Sequence, residues 1–215
     1  IVDSRMTVLG GEFAILLGTG SGTFTNAPGS PFVSGDAPFH TVIGYFNNDA
    51  NADLAIAMLA DGVARIYLGN GNGTFTQAGS PITLDTFTSF LALGDFNNDN
   101  KVDLAAVNRI GANMHVLLGD GLGGFSQAPG SPYSTGSAPM VVATSDLNLD
   151  GKLDLAVANE NNANTFVYLG NGNGTFGAPT TLLKGHLPTH LAIADFNEDN
   201  RPDIATSDAG DNTLT

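Results

Sequence analysis

The sequence predicts an all-β fold built from repeated four-stranded units, and three observations carry that prediction. The first is periodicity. An acid-rich loop, D-x-N-x-D-x-x-x-D or close to it, begins at Tyr45, Asp95, Asp146 and Asp195, at spacings of 50, 51 and 49. A second marker, L-G-x-G-x-G-x-F, begins at Leu17, Leu68, Leu118 and Leu169, at spacings of 51, 50 and 51. Two independent markers at one period define a tandem repeat. The second observation is the rhythm of short apolar runs between Gly-, Asn- and Asp-rich turn signals, which reads as strands. The third is that no segment keeps helical periodicity over ten residues or so.

Each repeat then reads in order. A first strand is small and apolar: residues 41–44, 91–94, 140–144 and 191–194. The acid loop follows. A second strand leaves it at 54–58, 104–107, 155–158 and 204–206. A polar turn leads to a third at 13–17, 64–68, 114–118 and 165–169. The Gly-rich turn leads to a weak fourth near Phe24, Phe75, Phe125 and Phe176. A Pro-containing link, P-G-S-P at Pro28 and Pro129 and G-S-P at Gly79, returns to the next first strand. Four-stranded units repeated radially make a β-propeller. The small side chains of the first strands suit a crowded axis, and the LG…F residues suit a wedge between neighbouring sheets.

The whole chain, 1–215, reads as one repeat array. Asp3 and Ile204 both align with Leu54, so one blade edge is represented twice. The expectation is about four units with a duplicated edge: an arc of a larger propeller, or an open unit completed by neighbours through exposed edge strands. The first residue is Ile1, so the chain is expected to be processed or excerpted.

Charge narrows the function. Seven Lys and Arg stand against 21 Asp and Glu, a net charge of -14. Nucleic-acid binding draws its affinity from cationic side chains on phosphates, so it is excluded as a class, as is a polybasic contact with lipid. No run of some eighteen apolar residues predicts membrane insertion. The absence of Cys removes disulfides and thiol chemistry.

The acid loops carry the chemistry. Their odd positions hold Asp95, Asn97, Asp99, Lys101 and Asp103 in the second loop. The third has Asp146, Asn148, Asp150, Lys152 and Asp154, and the fourth Asp195, Asn197, Asp199, Arg201 and Asp203. Positions 1, 3, 5 and 9 offer side-chain oxygens. Lys101, Lys152 and Arg201 at position 7 would contribute backbone carbonyls. Such a hard-oxygen set suits calcium, whereas zinc prefers His or Cys. Position 6 is Asn100, Gly151 or Asn200, residues that tolerate left-handed backbone. Eleven of the 21 acids stand at odd loop positions, and three bound calcium ions would move the net charge from -14 to -8. Position 12 is Ala106, Val157 or Thr206, which excludes an EF-hand. The first loop is degenerate. Tyr45 replaces the first Asp and Ala50 the turn residue, leaving Asn47, Asp49, Asn51 and Asp53, so weak or absent binding is expected there.

The stretch from Asp95 to Asn108, D-F-N-N-D-N-K-V-D-L-A-A-V-N, and L-G-N-G-N-G-T-F from Leu169 to Phe176 resemble the FG-GAP/VCBS repeat family over nearly the whole chain. The resemblance implies a propeller, seven-bladed in most relatives, with calcium in loops on one face. Integrin α-chains and secreted lectins and adhesins use such repeats.

Other features carry less. His40 and His190 sit five residues before their loops, and with His115 and His186 they form no metal pattern. Asn72-Gly-Thr and Asn173-Gly-Thr match a glycosylation acceptor but belong to the repeated turn. No nucleophile stands in a catalytic elbow. The expectation is a non-enzymatic, secreted or cell-surface calcium-binding module for adhesion or ligand binding. Its partner would be an extracellular protein or a glycan. The alternatives are a self-assembling filament or surface layer, a lectin, or an accessory domain of a larger secreted protein.

Overall fold

A computed structural model describes residues 2–7, 10–35, 37–184, 187–209 and 213–214. His186 lies outside the described residues. The strands form five antiparallel sheets. The first holds β1 (Val2–Thr7), β2 (Gly10–Gly18), β3 (Phe24–Asn26) and β4 (Phe32–Gly35). The second holds β5 (Pro38–Gly44), β6 (Asp53–Met58), β7 (Val63–Gly69), β8 (Phe75–Gln77) and β9 (Ile82–Thr83). The third holds β10 (Thr88–Gly94), β11 (Asp103–Asn108), β12 (Asn113–Gly119), β13 (Phe125–Gln127) and β14 (Tyr133–Ser134). The fourth holds β15 (Pro139–Ser145), β16 (Asp154–Asn159), β17 (Asn164–Tyr168) and β18 (Thr180–Lys184). The fifth holds β19 (Pro188–Ala194), β20 (Asp203–Asp208) and β21 (Thr213–Leu214).

These are propeller blades. The inner strands β5, β10, β15 and β19 succeed one another and touch. In the first blade β1 holds the second-strand place, as β20 does in the fifth, so the duplicated edge appears as two partial blades flanking three fuller ones. The inner strands begin one to three residues before the sequence pattern placed them, and carry a register shift, as at Pro38/His40 and Thr88/Phe90. Such a bulge bends the strand and strengthens its twist.

The outer edge differs from expectation. The Pro link is not a bare connection. In the first three blades it supplies a second short strand, so β8 and β9 both pair with β7, at its opposite ends. Proline has no amide to donate and interrupts the ladder. The stretch around Pro81 therefore separates two pieces that share one partner strand. In the fourth blade Phe176 makes only an isolated bridge to Gly170, and β18 is the outer strand.

The core lies between blades. Phe13, Ile15, Leu54, Ile56 and Met58 join the first to the second. Phe46, Ile66, Leu91, Leu104 and Leu117 join the second to the third. Phe96, Val107, Met114, Val116, Leu155 and Tyr168 join the third to the fourth. β6, β11 and β16 are buried along their whole length. Burial on both faces explains why they read as continuous apolar runs and not as alternation.

The Leu-Gly-Phe marker is the wedge. Leu68 lies against Gly123 of the next blade, and Leu118 against Gly174. Phe46 meets Phe125 edge-on at 5.4 Å between ring centroids, and Phe96 meets Phe176 at 5.6 Å. The Gly of the marker has its own reason. A Cβ on Gly119 would stand 2.2 Å from the Val102 carbonyl oxygen, and one on Gly69 the same distance from that of Ala52.

Candidate metal sites

The acid loops connect the inner strand to the second strand of each blade, and all sit at one end of the arc beside the Gly-rich turns. Three loops share one hydrogen-bond scheme. In the second, Asp95 Oδ1 and Oδ2 accept the amides of Asp99 and Asn100, at 3.0 and 2.8 Å. Asn97 Oδ1 also accepts the Asp99 amide, at 3.1 Å, and Asp99 Oδ1 accepts that of Lys101, at 3.0 Å. The third loop repeats this with Asp146, Asn148 and Asp150. The fourth repeats it with Asp195, Asn197 and Asp199. Side-chain oxygens at positions 1, 3 and 5 are thus turned inward by the backbone itself.

Position 6 takes the left-handed conformation in these loops, with φ of 62° at Asn100, 81° at Gly151 and 64° at Asn200. That conformation aims the position-6 amide at the position-1 carboxylate. In the first loop Tyr45 offers no carboxylate, and Ala50 is not left-handed. What remains there is local: Asn51 donates its amide to Asp49 at 2.7 Å, and Asn47 Nδ2 donates to Asp49 at 2.9 Å. These bonds, the Asn51 amide first, hold the Asp49 carboxyl below its usual range.

Position 9 has a structural role that spacing does not show. Asp103 is buried, and its two oxygens accept the amides of Phe96 and Gly119, each at 2.8 Å. Asp53 does the same for Phe46 and Gly69, and Asp154 for Leu147 and Gly170. One carboxylate therefore ties the acid loop to the third strand's end. Among the described residues Asp203 accepts the first of these bonds alone, from Phe196 at 3.0 Å. Burial pushes the Asp103 carboxyl up to about 6 against the pull of the Gly119 and Phe96 amides, and the charges of Asp99 and Asp95 add to the rise.

Position 7 closes over the loop. Lys101 and Lys152 place their ammonium groups on Asp99 and Asp150 at 3.3 and 3.1 Å. The Lys152 contact leads the causes that hold the Asp150 carboxyl below its usual range. Partial burial works upward on Asp99, but the Lys101 amide, Asn97 and the Lys101 side chain outweigh it, and its carboxyl also lies low.

Position 4 escaped the sequence reading. Asn48, Asn98, Leu149 and Glu198 all have positive φ, between 58° and 64°. Asn48 donates from Nδ2 to the Gly121 carbonyl of the next blade at 3.1 Å, and Asn98 lies against Gly172 in the same way. Backbone bonds run alongside: Gly123 donates to the Phe46 carbonyl and Gly174 to that of Phe96, both at 2.8 Å. The acid loop of one blade is latched to the Gly-rich turn of the next. The signal was present in the sequence as Asn at position 4 of two loops, read only as a variable position.

Among the described residues no three His, Asp or Glu side chains converge closely enough to hold an ion as they stand. The donor chemistry nevertheless fits a hard cation. Each carboxylate oxygen keeps a lone pair beyond the amide it accepts. The charges of Asp95 and Asp99 push the Asp103 carboxyl upward, so three carboxylates crowd this one loop. The glycosylation-like turns are Asx turns: Asn72 accepts the Thr74 amide and hydroxyl at 3.0 and 2.7 Å, and Asn173 serves Thr175 likewise.

Three comparisons bear on this geometry. The FG-GAP-like repeat pattern matches residues 45–106, 95–157 and 146–206. The structure is similar to BBS1N, solved in complex with ARL6DN, with a TM-score of 0.60 and 14% identity over 99% of this chain and 59% of that one. It is similar to the NanB sialidase of Streptococcus pneumoniae, with a TM-score of 0.59 and 12% identity over 95% of this chain and 34% of that one. It is also similar to the periplasmic gluconolactonase PpgL of Pseudomonas aeruginosa, with a TM-score of 0.54 and 20% identity over 75% and 42%. At such identities the likeness shows the fold alone. The chain spans less than two thirds of the length of these structures. Comparison with curated proteins gives no match.

Proposed function

Since the chain belongs to the FG-GAP-like repeat family, we propose that it is a calcium-stabilised β-propeller module of a secreted or cell-surface protein, serving adhesion or ligand binding and carrying no catalysis of its own. One observation supports this above the others. Three loops that differ at positions 2, 4, 6 and 8 keep the same inward-turned oxygens at positions 1, 3 and 5 and the same Asp at position 9.

Calcium would be held by Asp95, Asn97, Asp99 and Asp103, by Asp146, Asn148, Asp150 and Asp154, and by Asp195, Asn197, Asp199 and Asp203. Bound there, it supplies positive charge and no chemistry. The chain's own residues do the rest. Positions 1 and 5 hold the loop's turns, and position 9 fixes the loop to the blade. Phe46 and Phe96 carry the loop's position to the next blade. At free calcium about 100 times Kd, one site contributes roughly 2.7 kcal/mol. Extracellular modules bind in the range of about 10⁻⁴–10⁻³ M, so outside a cell is where such sites would fill. The partner fits an extracellular protein or glycan, since the net charge of -14 disfavours polyanions.

The test is isothermal titration of chelator-treated protein with calcium, alongside melting in calcium and in chelator. Three sites and a higher melting temperature in calcium are expected. No heat and no shift would overturn the reading.

A second reading, self-association, rests on the two end faces. Phe196 is 58% exposed where Phe46 and Phe96 are each 2% exposed, and Phe24 is 48% exposed where Phe176 is 8% exposed. They are the two unmatched halves of the Phe–Phe contact seen inside the arc. A further blade of the same pattern, or a second copy, fits either face. Light scattering separates a monomer from head-to-tail multimers.

A further inference from the structure

The second and fourth blades carry the same residues at the Gly-rich turn, L-G-N-G-N-G-T-F, from Leu68 to Phe75 and from Leu169 to Phe176. Each copy holds two Asn–Gly steps, and the sequence has no others: Asn70–Gly71, Asn72–Gly73, Asn171–Gly172 and Asn173–Gly174. Such steps are thermolabile, because the Asn amide can be displaced by the next backbone nitrogen. Glycine, without a Cβ, leaves that nitrogen open to approach. The twin turns share one sequence and hence one intrinsic chemistry, so a difference in their reactivity comes from the fold.

Two groups decide how readily a step reacts. The first is the set of donors on the Asn side-chain oxygen, which gathers negative charge as Cγ is attacked. Asn72 Oδ1 accepts the Thr74 amide at 3.0 Å and the Thr74 hydroxyl at 2.7 Å. Asn70 Nδ2 donates to that hydroxyl oxygen at 2.8 Å, which turns its proton toward Asn72. Asn173 has the same donors from Thr175, at 3.1 and 2.7 Å, with Asn171 in the place of Asn70. Among the described residues Asn70 and Asn171 lack that pair of donors and instead donate to the threonine. The second group is the attacking nitrogen. Gly174 donates its amide to the Phe96 carbonyl of the neighbouring blade at 2.8 Å. The Gly73 amide donates no hydrogen bond among the described residues, and Gly73 lies against Leu17. Of the four steps, Asn72–Gly73 alone joins a polarised carbonyl to an uncommitted nucleophile, and Asn72 is exposed to water.

We propose that Asn72 is a site of self-modification, converting to aspartate and isoaspartate in water without an enzyme. Solvent base removes the Gly73 amide proton, and the nitrogen attacks Cγ of Asn72. The Cγ–Nδ2 bond breaks, the departing nitrogen takes a proton from water, and ammonia leaves a succinimide ring. Water then adds to either ring carbonyl and breaks its bond to the Gly73 nitrogen. Opening at Cγ gives aspartate, and opening at the backbone carbonyl gives isoaspartate. One water enters and one ammonia leaves, with no change of oxidation state. The product adds a carboxylate to a chain of net charge -14. Isoaspartate also lengthens the backbone of the turn that meets Leu17. The site is separate from the acid loops and uses no metal.

The test is peptide mass spectrometry with fragmentation that resolves isoaspartate. The folded chain is held for weeks in mildly alkaline buffer, and the same chain is held in urea. In urea Asn72 and Asn173 should convert at one rate, because their neighbours in sequence are the same. In the folded chain Asn72 should convert several-fold faster than Asn173, and ahead of Asn70 and Asn171. Thr74→Val removes the hydroxyl donor, keeps the side-chain shape, and should slow Asn72 several-fold while Asn173 stays slow as in the folded parent. The proposal is overturned if Asn173 matches or outruns Asn72 in the folded parent, a comparison that needs no variant. It is overturned if Asn72 stays intact while the chain in urea converts. It is also overturned if Thr74→Val, with Asn173 still slow, converts Asn72 as fast as the parent does.

Discussion

Phe96 and Phe196 occupy the same loop position in different blades, and truncating each to alanine separates the seam from the loop. Phe96 is 2% exposed, seals the seam between the third and fourth blades, and meets Phe176 at 5.6 Å. Phe196 is 58% exposed. Both donate their backbone amide to the position-9 carboxylate, at 2.8 and 3.0 Å, a bond alanine retains. The difference between the variants is therefore side-chain burial. A buried Phe→Ala change costs about 3–5 kcal/mol, of which the aromatic pair accounts for roughly 0.5–1.5. Phe196→Ala should cost less than about 1 kcal/mol, as exposed positions do. For a chain of this size 1 kcal/mol shifts the melting temperature by about 2–4 °C, so Phe96→Ala should melt roughly 6–20 °C lower. Urea and thermal denaturation followed by circular dichroism, in chelator so that calcium plays no part, would measure both. A double-mutant cycle of Phe96 with Phe176 should return the pair term. Equal losses for the two variants would refute the argument that blades are held by these wedges.

Three further outcomes are expected. Tyr45→Asp combined with Ala50→Gly restores the position-1 carboxylate and the left-handed turn of the first loop, and should raise calcium stoichiometry by one in a titration. Leu149→Asn replaces a branched residue held at φ 60° by one that tolerates that conformation, and should stabilise by up to about 1 kcal/mol in urea denaturation. His40 is lowered to about 4, first by burial and then by His190, and its Nδ1 accepts the Leu91 amide at 3.2 Å while its ring stacks on Phe90. The unfolded chain therefore takes up this proton first, and stability from this group, present above about 6.5, is lost as pH falls toward 4. His40→Gln should flatten that part of the stability profile; an unchanged slope would count against it.

The period, the strand order and the acid loops were legible because each depends on local chemistry repeated four times. Gly119 and its sisters showed as a marker because the Val102 carbonyl leaves no room for a Cβ. The split outer edge was not legible, since Ile82–Thr83 is a strand only through its pairing with Val63 and Ala64. The double role of Asp103 was hidden for a related reason. Its partner Gly119 is sixteen residues away, and nothing in D-x-N-x-D-x-x-x-D distinguishes a carboxylate that faces an ion from one that also ties two strands.

The latches between the acid loops of the second and third blades and the Gly-rich turns that follow them give the arc a mechanical character. Gly123 and Gly174 hang from the carbonyls of Phe46 and Phe96, so the latches lie in series along the chain and under a pull the weakest gives way first. Blades should yield singly, each releasing on the order of fifty residues, about 170 Å of extended chain. An ion seated in the loop above a latch would stiffen that one link. The arc is thereby a series of separately tunable fuses, and a surface protein carrying it would lengthen in steps under load before it let go.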